Sequence, residues 1–148
     1  QVHAESARLQ ESLLAAIDKD TEAFNLVSAV VDMPKETDED KAARREAMQQ
    51  ALKEATKSPY GMMEDILTAL QTTQKAGGKS KTNAASDLGV ADLNLKAGLQ
   101  GAWLNVLINL SGVKDEAFVA DYRSKGEDLL QKGCALADEI YQEILKVV

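Results

Sequence analysis

Apolar residues recur along this chain at intervals of three, four and seven, the spacing that places them on one face of an α-helix. The pattern predicts helices over about residues 4–31, 37–57, 60–75, 86–110 and 116–146. No useful length of sequence alternates as a strand would, and there is no internal repeat. We therefore predict an all-α fold, an antiparallel bundle of about five helices in one domain over residues 1–148.

The stretch from Ser86 to Gly112 is the most apolar of these helices, and we predict that it is the most buried. A narrow seam of small and polar side chains runs along it. The seam consists of Asp87, Asn94, Gly98, Gly101, Asn105 and Asn109. Buried amides need hydrogen-bond partners, since an unmade bond costs roughly 1–3 kcal/mol, so either other helices or a ligand must supply them. Because more than one face can be packed against, we expect a dimer to complete the bundle.

Asp20 interrupts the apolar face of the first helix. The predicted inward residues are Leu9, Leu13, Ala16, Ile17, Phe24, Val27 and Val31. Asp20 lies in the middle of this face, whereas Asp18 points to the opposite side. A carboxylate in a core must be paired, hydrogen-bonded or protonated. The pattern alone leaves open whether Asp20 is structural or catalytic.

Capping and breaking residues set the helix boundaries. Thr37 and Asp115 are typical N-caps for the helices that follow them. Pro59 either starts a new helix or kinks a continuous one. Gly126 and Gly133 weaken the last helix by about 1 kcal/mol each relative to alanine, unless tight packing requires them.

Charge and composition exclude several classes of function. With 24 acidic and 17 basic residues the net charge is −7, which argues against binding to nucleic acid or to an anionic membrane surface. One histidine and one cysteine make no metal-ligand cluster. No apolar run reaches about 18 residues, so no membrane-spanning helix is expected. The lone Cys134 and the lack of a signal-like segment favour the cytoplasm.

Residues 76–84, AGGKSKTNA, form the clearest loop of the sequence. Lys75, Lys79 and Lys81 make a small positive cluster around it. The simpler interpretation is a solvated loop, and the sharper one is a lip that binds an anion. The glycines do not have the spacing of a phosphate-binding loop.

Several runs of sequence resemble one known family in both order and spacing. They are DKDTEAF (18–24), MPKET (33–37), ASDLGVA (85–91), GAWLNVLINL (101–110) and DEAF (115–118). These runs are similar to the C-terminal formiminotransferase-cyclodeaminase family. The resemblance implies an all-helical, dimeric protein that handles a one-carbon unit on reduced folate.

The same resemblance implies roles for particular residues. Asp20 matches the aspartate that donates and accepts protons in family cyclodeaminases. Asn105 and Asn109 become a wall of the folate cleft, with Ser86 and Asp87 at its mouth. The tetrahydrofolate derivative is the substrate, and no other cofactor and no metal are expected. Family members usually begin with a PGGGS-like turn that helps to close the folate site, and we expect this chain to lack that segment.

Three functions remain open at this point. The first is a formiminotetrahydrofolate cyclodeaminase, which closes the folate ring and expels ammonia. The second is a methenyltetrahydrofolate cyclohydrolase on the same scaffold. The third is a non-catalytic folate-binding or dimerisation module. Asp20 favours the two enzymes, whereas the missing glycine-rich turn favours the third.

Overall fold

The computed structural model describes residues 1–77 and 84–148. It contains four helices: α1 (Val2–Val31), α2 (Asp38–Gly77), α3 (Ala85–Leu110) and α4 (Glu116–Leu145). There is no strand in these two ranges. The all-α prediction is therefore confirmed, whereas the predicted number of about five helices is wrong for the described residues. None of the four helices combines the length and apolarity needed to cross a membrane.

Helix α2 is the element against which the others pack. Within the described residues α1 contacts α2 alone, whereas α3 and α4 pack against α2 and against each other. Ser12 of α1 donates to Asp65 near the end of α2, and Arg44 near its beginning donates to the Val30 carbonyl of α1. The order of these contacts shows that α1 and α2 are antiparallel.

Both predicted N-caps are confirmed. The Thr37 hydroxyl accepts from the Asp40 amide at 3.0 Å, and the Asp40 carboxylate accepts from the Thr37 amide at 3.1 Å. The Asp115 carboxylate accepts from the Phe118 amide at 3.1 Å at the start of α4. These bonds satisfy amides that have no partner within their own helices.

The core lies between α2, α3 and α4. Its most buried large side chains include Met63, Leu70, Leu99, Trp103, Val106 and Leu110. A Cβ atom added at Gly126 would lie 2.1 Å from the Trp103 ring, and one added at Gly133 would lie 2.3 Å from Leu99. Because any side chain there would clash, the two glycines of α4 are required by close packing.

Pro59 lies inside a continuous α2, so residues 37–57 and 60–75 belong to one helix, not two. Proline has no amide hydrogen, and the Ala55 carbonyl four residues earlier therefore lacks its usual donor. The Asn109 side-chain amide of α3 donates to the Ala55 carbonyl at 2.7 Å. Asn109 thus replaces the bond that Pro59 cannot make, and this bond fastens α3 to α2.

We expect Asn109→Ala to lower the free energy of unfolding by roughly 1–3 kcal/mol, because it leaves the Ala55 carbonyl without a donor. In a Pro59→Ala background residue 59 regains an amide hydrogen, so the same change should cost much less. Urea unfolding of the parent, both single variants and the double variant measures this coupling. An equal cost of Asn109→Ala in both backgrounds would contradict the assignment.

The inward face of α1 differs from the predicted one. The buried residues, Leu9, Ala16, Ala23 and Val30, recur every seven residues. Ile17, Phe24 and Val31 are instead 57–66% exposed, which corrects their predicted inward positions. These buried residues form a narrow stripe because α1 packs against one helix. The wider face that we predicted would require more than one neighbouring helix.

Helix α3 has the largest share of buried residues, eight of 26 against eight of 40 in α2. Its burial is nevertheless one-sided in the single chain. Val90, Leu93, Leu104 and Ile108 are 49–68% exposed and form an open apolar stripe on the side away from α2 and α4. Burial of α3 on all sides would require something to cover this stripe.

Candidate active site

A groove lies between α1 and α3. Both helices pack against α2 but not against each other, so α2 forms the floor. Ala69 and Thr73 lie on α2 between the positions that contact α1 and those that contact α3. With Leu13 and Ile17 of α1 they line a cavity whose walls come from α1 and α2. This cavity lies on the flank of α1 that is turned towards α3. The α1 wall is largely apolar, whereas the α3 wall carries small and polar side chains such as Gly101 and Asn105.

Asp20 is half-buried on the α1 stripe that faces α2, between Ala16 and Ala23. The Ser12 hydroxyl donates to Asp65 at 2.6 Å, which sets the register of the two antiparallel helices. Asp20 lies eight residues after Ser12 on α1, and Lys57 lies eight residues before Asp65 on α2. Because the two helices are antiparallel, Asp20 is level with Lys57. Asp20 thus lies at the α1–α2 contact beside the groove, whereas Asp18 is exposed.

Asn105 lies on α3, on the opposite side of the groove from Asp20 and at nearly the same level along α2. Asn109 bonds to Ala55, so Asn105, one turn earlier on the antiparallel α3, is level with Pro59. Asn105 is about 160° around the helix from Trp103, which packs on α4, and therefore points to the groove side. Asn105 is exposed and Asn109 is half-buried. The side-chain nitrogen of Asn109 donates to the Ala55 carbonyl of α2, and the side-chain oxygen of Asn109 remains for a ligand.

Ser86 and Asp87 are not near these residues in the single chain. Both are exposed in the first turn of α3. Asp87 shares a helix face with Asn105, but 18 residues separate them, which corresponds to about 27 Å along the axis. The structure thus brings Asp20, Asn105 and Asn109 to one level of the groove and places the predicted mouth residues at its far end.

The predicted lysine cluster is only partly described. Lys79 and Lys81 lie outside the described residues. Lys75 is exposed in the last turn of α2, which continues to Gly77, beyond the predicted start of the loop. Lys75 lines a cavity with His3 and Thr68 on the other flank of α1, away from the groove. In residues 1–77 and 84–148 no three His, Cys, Asp or Glu side chains converge to hold a metal ion.

Two buried polar groups were not singled out by the sequence patterns. In the part of the chain that the structure describes, the Ser58 hydroxyl and both carboxylate oxygens of Asp92 are buried without a hydrogen-bond partner. Asp92 is 1% exposed on the core side of α3. Its position seven residues before Leu99 could have identified it, because that spacing keeps two residues on one face.

The environment of Asp92 favours the protonated carboxyl group. Loss of contact with water raises the pKa of Asp92 to about 6. The Lys96 ammonium opposes this rise, and the Asp138 carboxylate adds to it. Lys96 is paired with Asp138 at 2.5 Å and not with Asp92. Asp92 lies on the opposite side of α3 from the groove, and its burial therefore concerns the fold and not the site.

The sequence of this chain is similar to those of known proteins. Residues 1–128 match the family model of formiminotransferase-cyclodeaminase. The chain belongs to this family. A methenyltetrahydrofolate cyclohydrolase of Methylorubrum extorquens is 38% identical over 144 residues, which cover 97% of this chain and 69% of that protein. The formimidoyltransferase-cyclodeaminase of Sus scrofa is 36% identical over 130 residues, 88% of this chain and 23% of that protein.

A solved structure of the formiminotransferase-cyclodeaminase family agrees with the fold. The crystal structure of formiminotetrahydrofolate cyclodeaminase from Thermotoga maritima matches with a TM-score of 0.71 and 27% sequence identity. The match covers 95% of this chain and 64% of that chain. The present chain thus spans about two thirds of the length of these bacterial relatives and less than a quarter of the pig protein.

Proposed function

We propose that this chain forms the helical domain of a folate enzyme that converts 5-formiminotetrahydrofolate to 5,10-methenyltetrahydrofolate and ammonia. The observation that carries the proposal is the position of Asp20 and Asn105, which reach the same level of one groove from α1 and α3. Both residues lie in runs that resemble the family to which the chain belongs. The proposed reaction needs no cofactor other than its folate substrate, and we expect it to take place in the cytoplasm.

Cyclodeamination requires a group that first accepts a proton and then donates one. N10 of the folate attacks the carbon of the protonated formimino group (=NH2+) and loses its own proton to the acid–base group. The resulting amino nitrogen takes up that proton, the bond between carbon and this nitrogen breaks, and ammonia leaves with formation of the methenyl cation. A carboxyl group partly shielded from water can serve as both base and acid. We assign this role to Asp20. The side chain of Asn105 and the free oxygen of Asn109 bind polar edges of the folate, and the apolar side chains of α1 hold its rings.

Cyclohydrolysis is the second candidate, and one specific observation favours it. The relative named methenyltetrahydrofolate cyclohydrolase is 38% identical and covers 97% of this chain, against 36% and 88% for the pig cyclodeaminase. In this reaction water adds to the methenyl carbon and the ring opens at a folate nitrogen. Asp20 would take a proton from the water and return it to that nitrogen, while the second proton of the water is released to solvent as the added oxygen becomes the formyl carbonyl. The same residue therefore serves either reaction.

The two reactions are separated by incubating the full-length protein with each substrate. Formation of methenyl absorbance and ammonia from 5-formiminotetrahydrofolate supports the cyclodeaminase. Loss of methenyl absorbance from 5,10-methenyltetrahydrofolate, faster than the uncatalysed hydrolysis, supports the cyclohydrolase. Folate binding without either turnover would identify a non-catalytic binding module.

We also propose that the open stripe of α3 is the contact between two copies of this chain. Large apolar side chains at its two ends (among them Leu104 and Ile108, 65% and 68% exposed) flank the small Ala97 and Gly101 at its centre. Small residues let two helices approach closely, and a two-fold axis near Ala97 would pair the stripe with itself. In that arrangement the partner's Ser86 and the partner's Asp87 lie level with the C-terminal end of the first copy's α3, near Asn105 and Asn109. They would thereby complete the site.

The charge substitution Leu104→Glu should therefore dissociate the dimer, because it places a charge in an apolar interface. We expect the dimer Kd to rise by roughly 100-fold or more, which corresponds to about 2.7 kcal/mol. Leu26→Glu is the matched control, since Leu26 is an exposed leucine (51%) on α1 outside the stripe. Light scattering across micromolar concentrations measures both. A Leu104→Glu variant that remains as dimeric as the control would contradict this interface.

A further inference from the structure

The hydroxyl of Ser58 behaves differently from the other aliphatic hydroxyls of α2. Each threonine of α2 donates to the carbonyl four residues earlier, at 2.8–3.1 Å. These threonines are Thr56, Thr68, Thr72 and Thr73. The Ser58 hydroxyl is buried but makes no such bond, and no other partner accepts from it in the described residues. A buried hydroxyl without a partner carries a free-energy cost that a native protein rarely leaves without a reason.

Ser58 faces α1. It precedes Asp65 by seven residues, so the two side chains share one face of α2. Asp65 accepts the hydroxyl of Ser12, which shows that this face is turned to α1. The unpartnered hydroxyl therefore points into the α1–α2 contact, close to the groove.

Two polar residues of α1 lie at this level, Lys19 and Asp20. Lys19 is exposed, whereas Asp20 is half-buried. The register set by Ser12 and Asp65 places Asp20 level with Lys57, the residue before Ser58. The stripe residues on either side of Asp20 are the buried alanines Ala16 and Ala23, whose small side chains allow the two helices to approach closely. The register thus places Ser58 and Asp20 at nearly the same level on the facing sides of α2 and α1.

We propose that Ser58 is a positioning residue for Asp20, and that its hydroxyl donates a hydrogen bond to the Asp20 carboxylate during turnover. The proposal rests on the proposed function of Asp20. The bond forms when the Asp20 side chain turns from the groove towards α2. It holds one carboxylate oxygen against the floor while the other oxygen faces the substrate, and it stabilises the ionised form that acts as the base.

The test is Ser58→Ala in the full-length protein, assayed across pH with whichever folate substrate the parent converts. Loss of a hydrogen bond to a charged group should lower kcat at neutral pH by roughly 5- to 30-fold and leave KM within about twofold. The acidic limb of the pH–rate profile should move upward by roughly one pH unit, because the ionised base loses a stabilising donor. In an Asp20→Asn background Ser58→Ala should have almost no further effect on kcat.

Ser12→Ala is the matched control. It makes the same substitution in the same helix contact and removes the bond to Asp65. We expect it to lower the melting temperature and to leave the pH–rate profile unchanged. A Ser58→Ala variant that behaves like Ser12→Ala, with an unmoved acidic limb, would overturn the proposal.

A second measurement does not depend on the proposed reaction. The midpoints of urea unfolding of Asp20→Asn, Ser58→Ala and the double variant report whether the two side chains interact. Non-additive effects support the contact even if the parent converts neither substrate, in which case only the proposed function fails. Additive effects overturn the contact whatever the activity of the parent.

Discussion

Asp20→Asn should lower turnover by roughly 10²–10⁴ and keep the fold, which is the range that general acid–base catalysis contributes. Asparagine is nearly isosteric with aspartate but cannot take up and return the proton that either folate reaction requires. Because Asp20 is only half-buried, the neutral amide fits the same space between Ala16 and Ala23. Folate affinity should therefore remain close to that of the parent.

A structural Asp20 predicts the opposite pattern. If its carboxylate mainly stabilised the α1–α2 contact, Asp20→Asn would lower the melting temperature and leave the activity of the folded molecules nearly unchanged. Asp18→Asn is the internal control, since Asp18 is exposed on the side of α1 opposite the contact stripe and should change neither quantity. Melting temperature and kcat measured for both variants decide between the two roles. Turnover near that of the parent in Asp20→Asn would remove the basis for calling the groove an active site.

Asp92→Asn should stabilise the protein at neutral and alkaline pH. The pKa of Asp92 is raised from 3.8 to about 6 in the folded chain, so folding favours the protonated carboxyl group. Below pH 3.8 the group is neutral in both states and has no cost. As the pH rises through 6 it ionises inside the core, and the cost reaches about 3 kcal/mol when the shift is converted at 1.36 kcal/mol per unit.

The expected difference between variant and parent therefore grows from near zero at pH 4 to a plateau above pH 7. Urea unfolding at a series of pH values measures it. Asp128→Asn is the control: it also removes one negative charge, but from an exposed ion pair with Lys132 on α4, where effects are small. A difference between Asp92→Asn and parent that does not change with pH would show that Asp92 gains a partner for its carboxylate in solution.

The helix boundaries show how much of the fold can be predicted from local sequence. Thr37 and Asp115 begin helices where their side chains predict, since an N-cap bond forms with an amide three residues away. Pro59 is different, because its effect depends on a distant residue. The Ala55 carbonyl that it leaves free is satisfied by Asn109 on another helix, and no local pattern could show that α2 continues through the proline.

The sequence proposes the residues of the candidate site but not their arrangement. An acid within an apolar stripe identifies Asp20, and the family resemblance adds Asn105 and Asn109. Which of the predicted residues meet depends on the register of α1 and α3 on α2. This register brings Asp20 level with Asn105, uses the Asn109 amide for the fold, and leaves Asp87 about 27 Å away.

The sequence by itself determined that this protein is helical, where most of its helices begin and end, and to which family it belongs. These properties follow from periodicity, capping chemistry and short runs of residues, all of which act over a few turns of one helix. Only the tertiary structure decided which sides of those helices are covered. Ile17 and Phe24 share the apolar pattern of α1 but remain exposed, because α1 has one neighbour, whereas Asp92 is buried because α3 has two. Burial depends on the number and position of neighbouring helices, and periodicity within one helix carries no information about either.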